Sequence, residues 1–325
     1  MISNSRHRAT YKYHQTWGFW YRPHLYTRVL GPDGAYLLRT NSLGARCDRE
    51  PDSSPTARCA ALIVGCSFAA GDGVSNDVRF SDRLERLDHG LACHNYALSG
   101  SGHDQQLLIH RTFAPALRPD VLIVAPVVGC IVRNLAASKV SYDPFTRQLV
   151  ARAKPYFTLE EGTLRLHNSP VPHAVTAVAD AVPSPDRRAR LRAALPGWML
   201  TAWRAARLEY RRRLERYLVE YDDPGGGAYR LTHAILRHLL DESSAAHKLL
   251  VPLPGREYVT TARRPNYLPL YRDVAAATGA VCVDVLPSFR SSPRAERARF
   301  FLPYDGHYSP EGHRVVAETL ARALG

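Results

Sequence analysis

No stretch of 18 or more apolar residues occurs in this 325-residue chain, so no segment has the length and hydropathy of a membrane-spanning helix. The opening MISNSRHRATYKYHQ is charged, and the apolar stretch that a signal peptide needs does not follow it. These two absences predict a soluble, cytoplasmic protein. The six cysteines, Cys47, Cys59, Cys66, Cys93, Cys130 and Cys282, form no CxxC pair and no Cys/His cluster at metal-ligand spacing, so no metal site and no disulfide framework is expected. Cys93 and Cys282 lie in apolar runs and read as small buried hydrophobes. Acidic residues are scarce: 30 Asp and Glu face 43 Lys and Arg, a formal net charge of +13. That excess suits an anionic partner such as nucleic acid, a membrane surface or a phosphate-bearing substrate. Nucleic acid is set aside because no zinc-finger, RNP or lysine-rich tail signature is present. GDGV lacks the GxGxxG spacing and no P-loop occurs, so no cofactor is expected.

What the chain does have is an alternation of strand and helix patterns. Apolar, β-branched runs recur at AALIV (60–64), LACHNYAL (91–98), DVLIVAPVV (120–128), KLLVPL (248–253) and AVCVDVL (280–286). Runs this continuous suit strands covered on both faces, hence a parallel sheet. Between and after them come helical spacings: Phe80, Leu84 and Leu87, then Val315, Val316 and Leu320 behind the helix-start signal Ser309-Pro310-Glu311. The pattern predicts an α/β fold, a three-layer doubly wound parallel sheet carrying a helical insertion.

Domain boundaries follow from where the alternation breaks. Residues 1–55 read as an N-terminal extension of short strands and turns packing on the core, with nothing catalytic in it. The α/β core occupies 56–134 and 245–325. Residues 135–244 read as a mostly helical, Arg-rich insertion or cap, with Pro-rich loops and a flexible PGGGAY. Within it Met199, Trp203, Ala206, Tyr210, Leu214 and Tyr217 recur at helical spacing. Arginines crowd the same stretch, and Arg207, Arg211 and Arg212 are candidate contacts to an anionic partner; a plain solvated helix face is the competing interpretation.

In an open parallel sheet, reacting groups gather at the carboxyl ends of the strands. Ser67 follows the first strand directly, in a strand, tight turn, helix context. A serine hydroxyl needs a neighbouring base, normally an imidazole oriented by a carboxylate. FFLPYDGHYSPEGH is the segment that offers both, since Asp305 and His307 are two residues apart between the last strand and the last helix. His313, on that helix, reads as a packing or capping residue.

With these residues in place the chain resembles the SGNH, or GDSL-type, hydrolases and O-acyltransferases, in particular the branch of alginate-acetylation-like enzymes. GCSFAAGDGV resembles the first sequence block of that family, NYALSGSGHDQ the second and DGHYSPEGH the last, while TNSLGAR resembles the lead-in to the first strand. The resemblance covers about residues 38–134 and 245–325. It implies a flavodoxin-like sheet, Ser67 as nucleophile, His307 as base, Asp305 as its orienting group, and the Ser67 and Gly100 amides as oxyanion donors.

Two departures from the family pattern stand out. Cys66 replaces its aspartate beside the nucleophile; alternation along a strand end turns Cys66 towards the core when Ser67 faces the crevice. Without a cationic neighbour its thiol is expected to stay protonated. Gly129 and Cys130 stand where the branch has Asn-Asp, so the side-chain amide that completes the oxyanion hole is missing. Loss of one such donor typically costs about 100- to 1000-fold in turnover. Asn134 is a candidate replacement.

The expected function is a serine-dependent esterase or O-acyltransferase working through an acyl-enzyme. Its substrate is expected to be a small-molecule or glycan ester, and an acyl-CoA or carrier-protein donor would suit the arginines. The alternative is a repurposed SGNH-like protein, a ligand-binding module or an atypical biosynthetic enzyme, which the missing asparagine favours.

Overall fold

A computed structural model describes residues 10–51, 58–143, 148–173, 175–177 and 218–325. Two hairpins come first, β1 (Tyr11–His14) with β2 (Gly18–Tyr21) and β3 (Tyr26–Gly31) with β4 (Gly34–Arg39). The core then begins with β5 (Cys59–Gly65), α1 (Ser67–Ala70), α2 (Phe80–Leu87), β6 (Leu91–Asn95), α3 (His103–Leu117) and β7 (Val121–Ala125). A strand-rich segment follows, holding β8 (Ser138–Asp143), β9 (Gln148–Ala153), β10 (Tyr156–Glu160), β11 (Thr163–His167) and β12 (Val175–Ala177). The core resumes with α4 (Gly227–Asp241), β13 (His247–Leu250), α5 (Arg256–Val259), α6 (Leu268–Thr278), β14 (Val281–Cys282), α7 (Leu286–Arg290) and α8 (Pro310–Leu324).

The central sheet has the order β14-β13-β7-β5-β6 with every neighbouring pair parallel. This is the flavodoxin-like order, in which the chain turns one way from its first strand to its second and the other way to its third. The switch lies between β5 and β7, so the loops after these two strands open a crevice. Right-handed crossovers in opposite directions place helices on both faces. On one side α3, α4 and α6 pack together; on the other α2 packs on α8. β6 and β7 are buried at every residue, as is most of β5, which is why they read as unbroken apolar runs.

The N-terminal hairpins belong to this core. Trp17, Trp20 and Tyr21 are buried, and both indoles lie 5.7 Å from the Phe113 ring of α3. The segment after β7 departs from the helical expectation. Its described part as far as residue 177 is antiparallel, a β12-β9-β8 sheet and a β10-β11 hairpin. The reason is local: Glu161 and Gly162 form a two-residue turn with φ of 49° and 82°, whose twist suits a hairpin. PGGGAY proves to be the start of α4, with Gly226 as its N-cap, and α4 packs on α3 and α6 of the core. The stripe from Met199 to Tyr217, with Arg207, Arg211 and Arg212, lies outside the described residues.

Gly65 closes β5 where α1 crosses the end of β7. A Cβ there would come 2.5 Å from the Ala125 carbonyl oxygen and 2.6 Å from the Ala69 Cβ, and neither can swing aside. Gly65→Ala should therefore destabilise the fold by about 1–3 kcal/mol, seen as a lower urea midpoint with an unchanged slope; an unchanged midpoint would refute this packing.

Candidate active site

The loop that carries Ser67 is shaped by glycine and held by arginine. β5 ends at Gly65, Cys66 caps α1, and Ser67 is its first residue, 5% exposed. Gly71, with φ 79°, ends α1, and its amide and that of Asp72 both donate to the Ser67 carbonyl at 2.9 and 3.0 Å. Behind the loop lies Arg46, fully buried. Its Nη1 donates to the Ala70 and Gly71 carbonyls at 2.7 and 2.6 Å, its Nη2 to the Val74 carbonyl at 2.5 Å, and its Nε to Asn76 Oδ1 at 3.1 Å. Arg46 ends TNSLGAR. The sequence marks that motif through resemblance alone, and the Arg46 guanidinium is the structural reason for it.

The second block approaches from β6. Asn95 Nδ2 donates to the Ala69 carbonyl and to Ser81 Oγ, each at 2.9 Å, and Ser101 Oγ donates to the Gly65 carbonyl at 3.0 Å. Ser99 Oγ donates to Asp72 Oδ2 at 2.5 Å, joining the two loops. Gly100 has φ 74°, a backbone conformation that favours glycine. Among the described residues neither the Ser67 nor the Gly100 amide has an acceptor.

His307 arrives on the loop before α8. The Leu302 amide donates to the His307 carbonyl at 2.8 Å, the Gly306 amide to the Leu302 carbonyl at 3.0 Å, and Phe301 bridges to Tyr308. Asp33, at the tip of the β3-β4 hairpin, accepts from the Tyr304 and Asp305 amides at 2.9 and 2.7 Å. Nothing in the GPDG turn marked it as part of the site. His307 Nδ1 lies 2.6 Å from Asp305 Oδ1, which leaves Nε2 as the free ring nitrogen. The ring packs on Phe68, next in chain to Ser67, with centroids 4.9 Å apart. Burial pushes the His307 pKa down, but the Asp305 hydrogen bond and the charges of Asp72, Asp305 and Cys66 outweigh it, and the pKa is raised above its usual 6.5. Ser67 Oγ makes no hydrogen bond among the described residues, so the contact between the serine turn and the imidazole runs through the neighbouring Phe68 ring.

Asn134 does not serve as the replacement donor. It is fully buried and faces inward: its Oδ1 accepts from the His103 amide at 3.0 Å, and its Nδ2 lies 2.9 Å from His103 Nδ1 and donates to Thr232 Oγ1 at 2.8 Å. Both hydrogens are committed, because burial lowers the His103 pKa to about 3 and keeps that ring neutral and accepting. His313 packs as expected, its Nδ1 accepting from the Phe80 amide at 3.2 Å.

Cys66 faces the core, as alternation requires, fully buried against Val127, Cys130 and Phe68. Its protonation differs from expectation because a cationic neighbour is present. Burial pushes the thiol up, but the Cys130 thiol, the Arg133 charge and the Val127 and Phe68 amides prevail and hold its pKa below the usual thiol range. Burial and the cost of a second nearby charge push Cys130 up. Cys66 is nonetheless without access, since the Val127 amide donates to its Sγ at 3.3 Å inside a closed cluster.

A cleft of about 590 Å³ between the β10-β11 turn and α4 includes none of these groups. No cluster of His, Cys, Asp or Glu able to hold a metal occurs among the described residues, and none of their helices is long and apolar enough to cross a membrane.

No family model and no curated protein matches this chain. Solved structures similar to it include an α/β hydrolase from the metagenome of Lake Arreo, Spain, at 12% identity and a TM-score of 0.47, covering 83% of this chain and 96% of that one. A lipase/acylhydrolase from Enterococcus faecalis is similar at 12% identity and 0.46, covering 82% and 95%. A catalytic mutant of an acetylxylan esterase from Geobacillus stearothermophilus is similar at 12% identity and 0.45, covering 83% and 95%. The five-stranded parallel sheet with helices on both faces is the flavodoxin-like, doubly wound α/β architecture that the sequence pattern predicts.

Replacing Arg46 by Met removes the donors to three loop carbonyls at once. The Gly71 carbonyl keeps the Val74 amide at 3.2 Å and the Ala70 carbonyl keeps Arg79 Nη1 at 3.5 Å, so the Val74 carbonyl is the one left unmet. An unmet buried carbonyl costs about 1–3 kcal/mol, so Arg46→Met should lower stability by about that amount in chemical denaturation, and an unchanged stability would show that the loop holds its shape unaided.

Proposed function

We propose that the protein is a serine-dependent ester hydrolase. The observation that carries this reading is the 2.6 Å His307–Asp305 pair packed, through Phe68, beside Ser67. Ser67 Oγ attacks the ester carbonyl carbon while its proton passes to His307 Nε2. The carbonyl oxygen becomes an oxyanion against the free Ser67 and Gly100 amides. Collapse of the tetrahedral intermediate breaks the bond to the alcohol oxygen, which leaves with the proton from His307. Water then attacks the acyl-serine, His307 again taking and returning a proton, and releases the acid. Asp305 holds the Nδ1–H and stabilises the imidazolium.

Acyl transfer is the same chemistry with an acceptor hydroxyl in place of water. A small-molecule or glycan ester suits a crevice formed by loops at the switch point.

The test is intact-protein mass spectrometry after exposure to a fluorophosphonate, with turnover of short activated esters. Wild type should gain one adduct that is absent in Ser67→Ala, and His307→Ala should lose about 100- to 10,000-fold in turnover. Absence of an adduct in folded wild type would overturn the reading in favour of a ligand-binding role. The pH profile gives a second check. His307 acts as a base only when neutral, and its pKa is raised, so kcat/KM should climb with pH through a midpoint above 6.5. Asp305→Asn removes the main cause of the rise and should shift that midpoint downward with a loss of kcat; an unmoved midpoint would exclude His307 as the titrating base.

A further inference from the structure

The third oxyanion donor is missing at Gly129, and the structure offers another group for its place. A Cβ at Gly129 would meet no atom within 4 Å, so the space into which a side chain at this position would project is open. Lys139, on β8, places its ammonium against Gly100. A Cβ at residue 100 would collide with Lys139 Nζ, so glycine is required there for the approach as well as for its positive φ. The ammonium also lies 4.5 Å from the Phe19 ring centroid. It has three N–H donors, and among the described residues it makes no hydrogen bond and no ion pair.

Its position is set by the frame around it. β8 pairs with β9 in a register that sets Lys139 opposite Arg152, and just beyond the end of β9 Lys154 forms a buried ion pair with Asp104 at the start of α3. The strand-rich segment is thereby fastened to the loop that carries Gly100.

We propose that Lys139 completes the oxyanion hole, its ammonium binding the carbonyl oxygen as that oxygen gains charge during attack by Ser67. This rests on the serine-hydrolase reading. A half-buried cation with no ion-pair partner among the described residues gains one when the oxyanion forms, so the interaction is stronger in the transition state than in the ground state. The groups that act on it are Arg133 and Arg152, which repel it, and Asp72, which attracts it. Burial is the largest influence, and together these lower its pKa to about 8. The cation therefore persists at neutral pH and is lost as pH rises through about 8.

The experiment measures kcat and KM for p-nitrophenyl acetate, a neutral ester, and for an anionic hemisuccinate ester. The proteins are wild type, Ser67→Ala, Lys139→Met, Lys139→Gln, Gly129→Asn and the Gly129→Asn/Lys139→Met double variant, each checked by thermal melting. Lys139→Met and Lys139→Gln should lose about 100- to 1000-fold in kcat on the neutral ester with KM little changed. Gly129→Asn, whose side chain has open space, should restore at least about tenfold in the Lys139→Met background. The alkaline fall of wild-type activity near pH 8, read on the unaltered protein, should vanish in Lys139→Gln. Wild-type kcat in folded Lys139 variants, alongside an inactive Ser67→Ala, would overturn the proposal alone. So would a rise in KM confined to the hemisuccinate, which would make Lys139 an anchor for substrate charge. Equal turnover by wild type and Ser67→Ala would overturn the hydrolase reading and this proposal with it.

Discussion

The Arg46 guanidinium is fully buried, its donors go to the carbonyls of Ala70, Gly71 and Val74 and to Asn76, and its nearest carboxylate, Asp72, is 4.0 Å away. A charge in that position is tolerable only because several dipoles converge on it, and those dipoles are the carbonyls of the turn that presents Ser67. Arg79 lies behind it, donating to the Arg46 carbonyl at 2.5 Å and paired with Asp82 at 2.9 Å. The position of the serine, of Asp72 and of the loop reaching Asp305 all depend on this one group keeping the turn closed. A hydrophobic residue of equal volume would fill the space but leave the Val74 carbonyl unmet and the turn held by the Val74 amide and Arg79 alone.

Much of the polar character of the family-like blocks is spent in the same way. Asn95 and Ser101 tie β6 to the end of β5, Gln105 Nε2 donates to the Trp17 carbonyl at 2.7 Å, and Asp104 binds Lys154. Asn134 joins His103 and Thr232 in a buried network that continues from His103 to Tyr271. Cys66 and Cys130 fit this economy: where the related pattern has carboxylates, two sulfurs bridge the loops after β5 and β7 across the switch point, under the charge of Arg133.

The sheet was legible because its strands are buried on both faces, and residues such as Leu62, Ile63, Leu122 and Ile123 leave no other economical placement. The approach of Ser67 to the Asp305–His307 loop was legible because strand-end positions are fixed by the order of a parallel sheet. Four things were not. The period-two pattern of residues 138–167 is weak beside the prolines and arginines that follow it, so the sequence suggests a helical insertion there. Asn134 was plausible by spacing, yet a side chain near the end of a short 3-10 segment turns inward or outward according to tertiary contacts that spacing does not encode. Lys139 had no signal, because its partner is the absence of a side chain at Gly100, 39 positions earlier in the sequence. Asp33 likewise acts on a loop more than 270 residues away.

That last separation bears on how the protein comes into being. The hairpin tip holding Tyr304 and Asp305 is separated from them by 271 and 272 residues, so the contact closes nearly the largest loop the chain can form. Closing so long a loop costs more chain entropy than forming the local hairpins. On the ribosome the serine loop can therefore take shape long before its histidine exists. A nascent chain carries the Ser67 turn without the Asp305–His307 loop until that loop is synthesised and docked onto the β3-β4 hairpin.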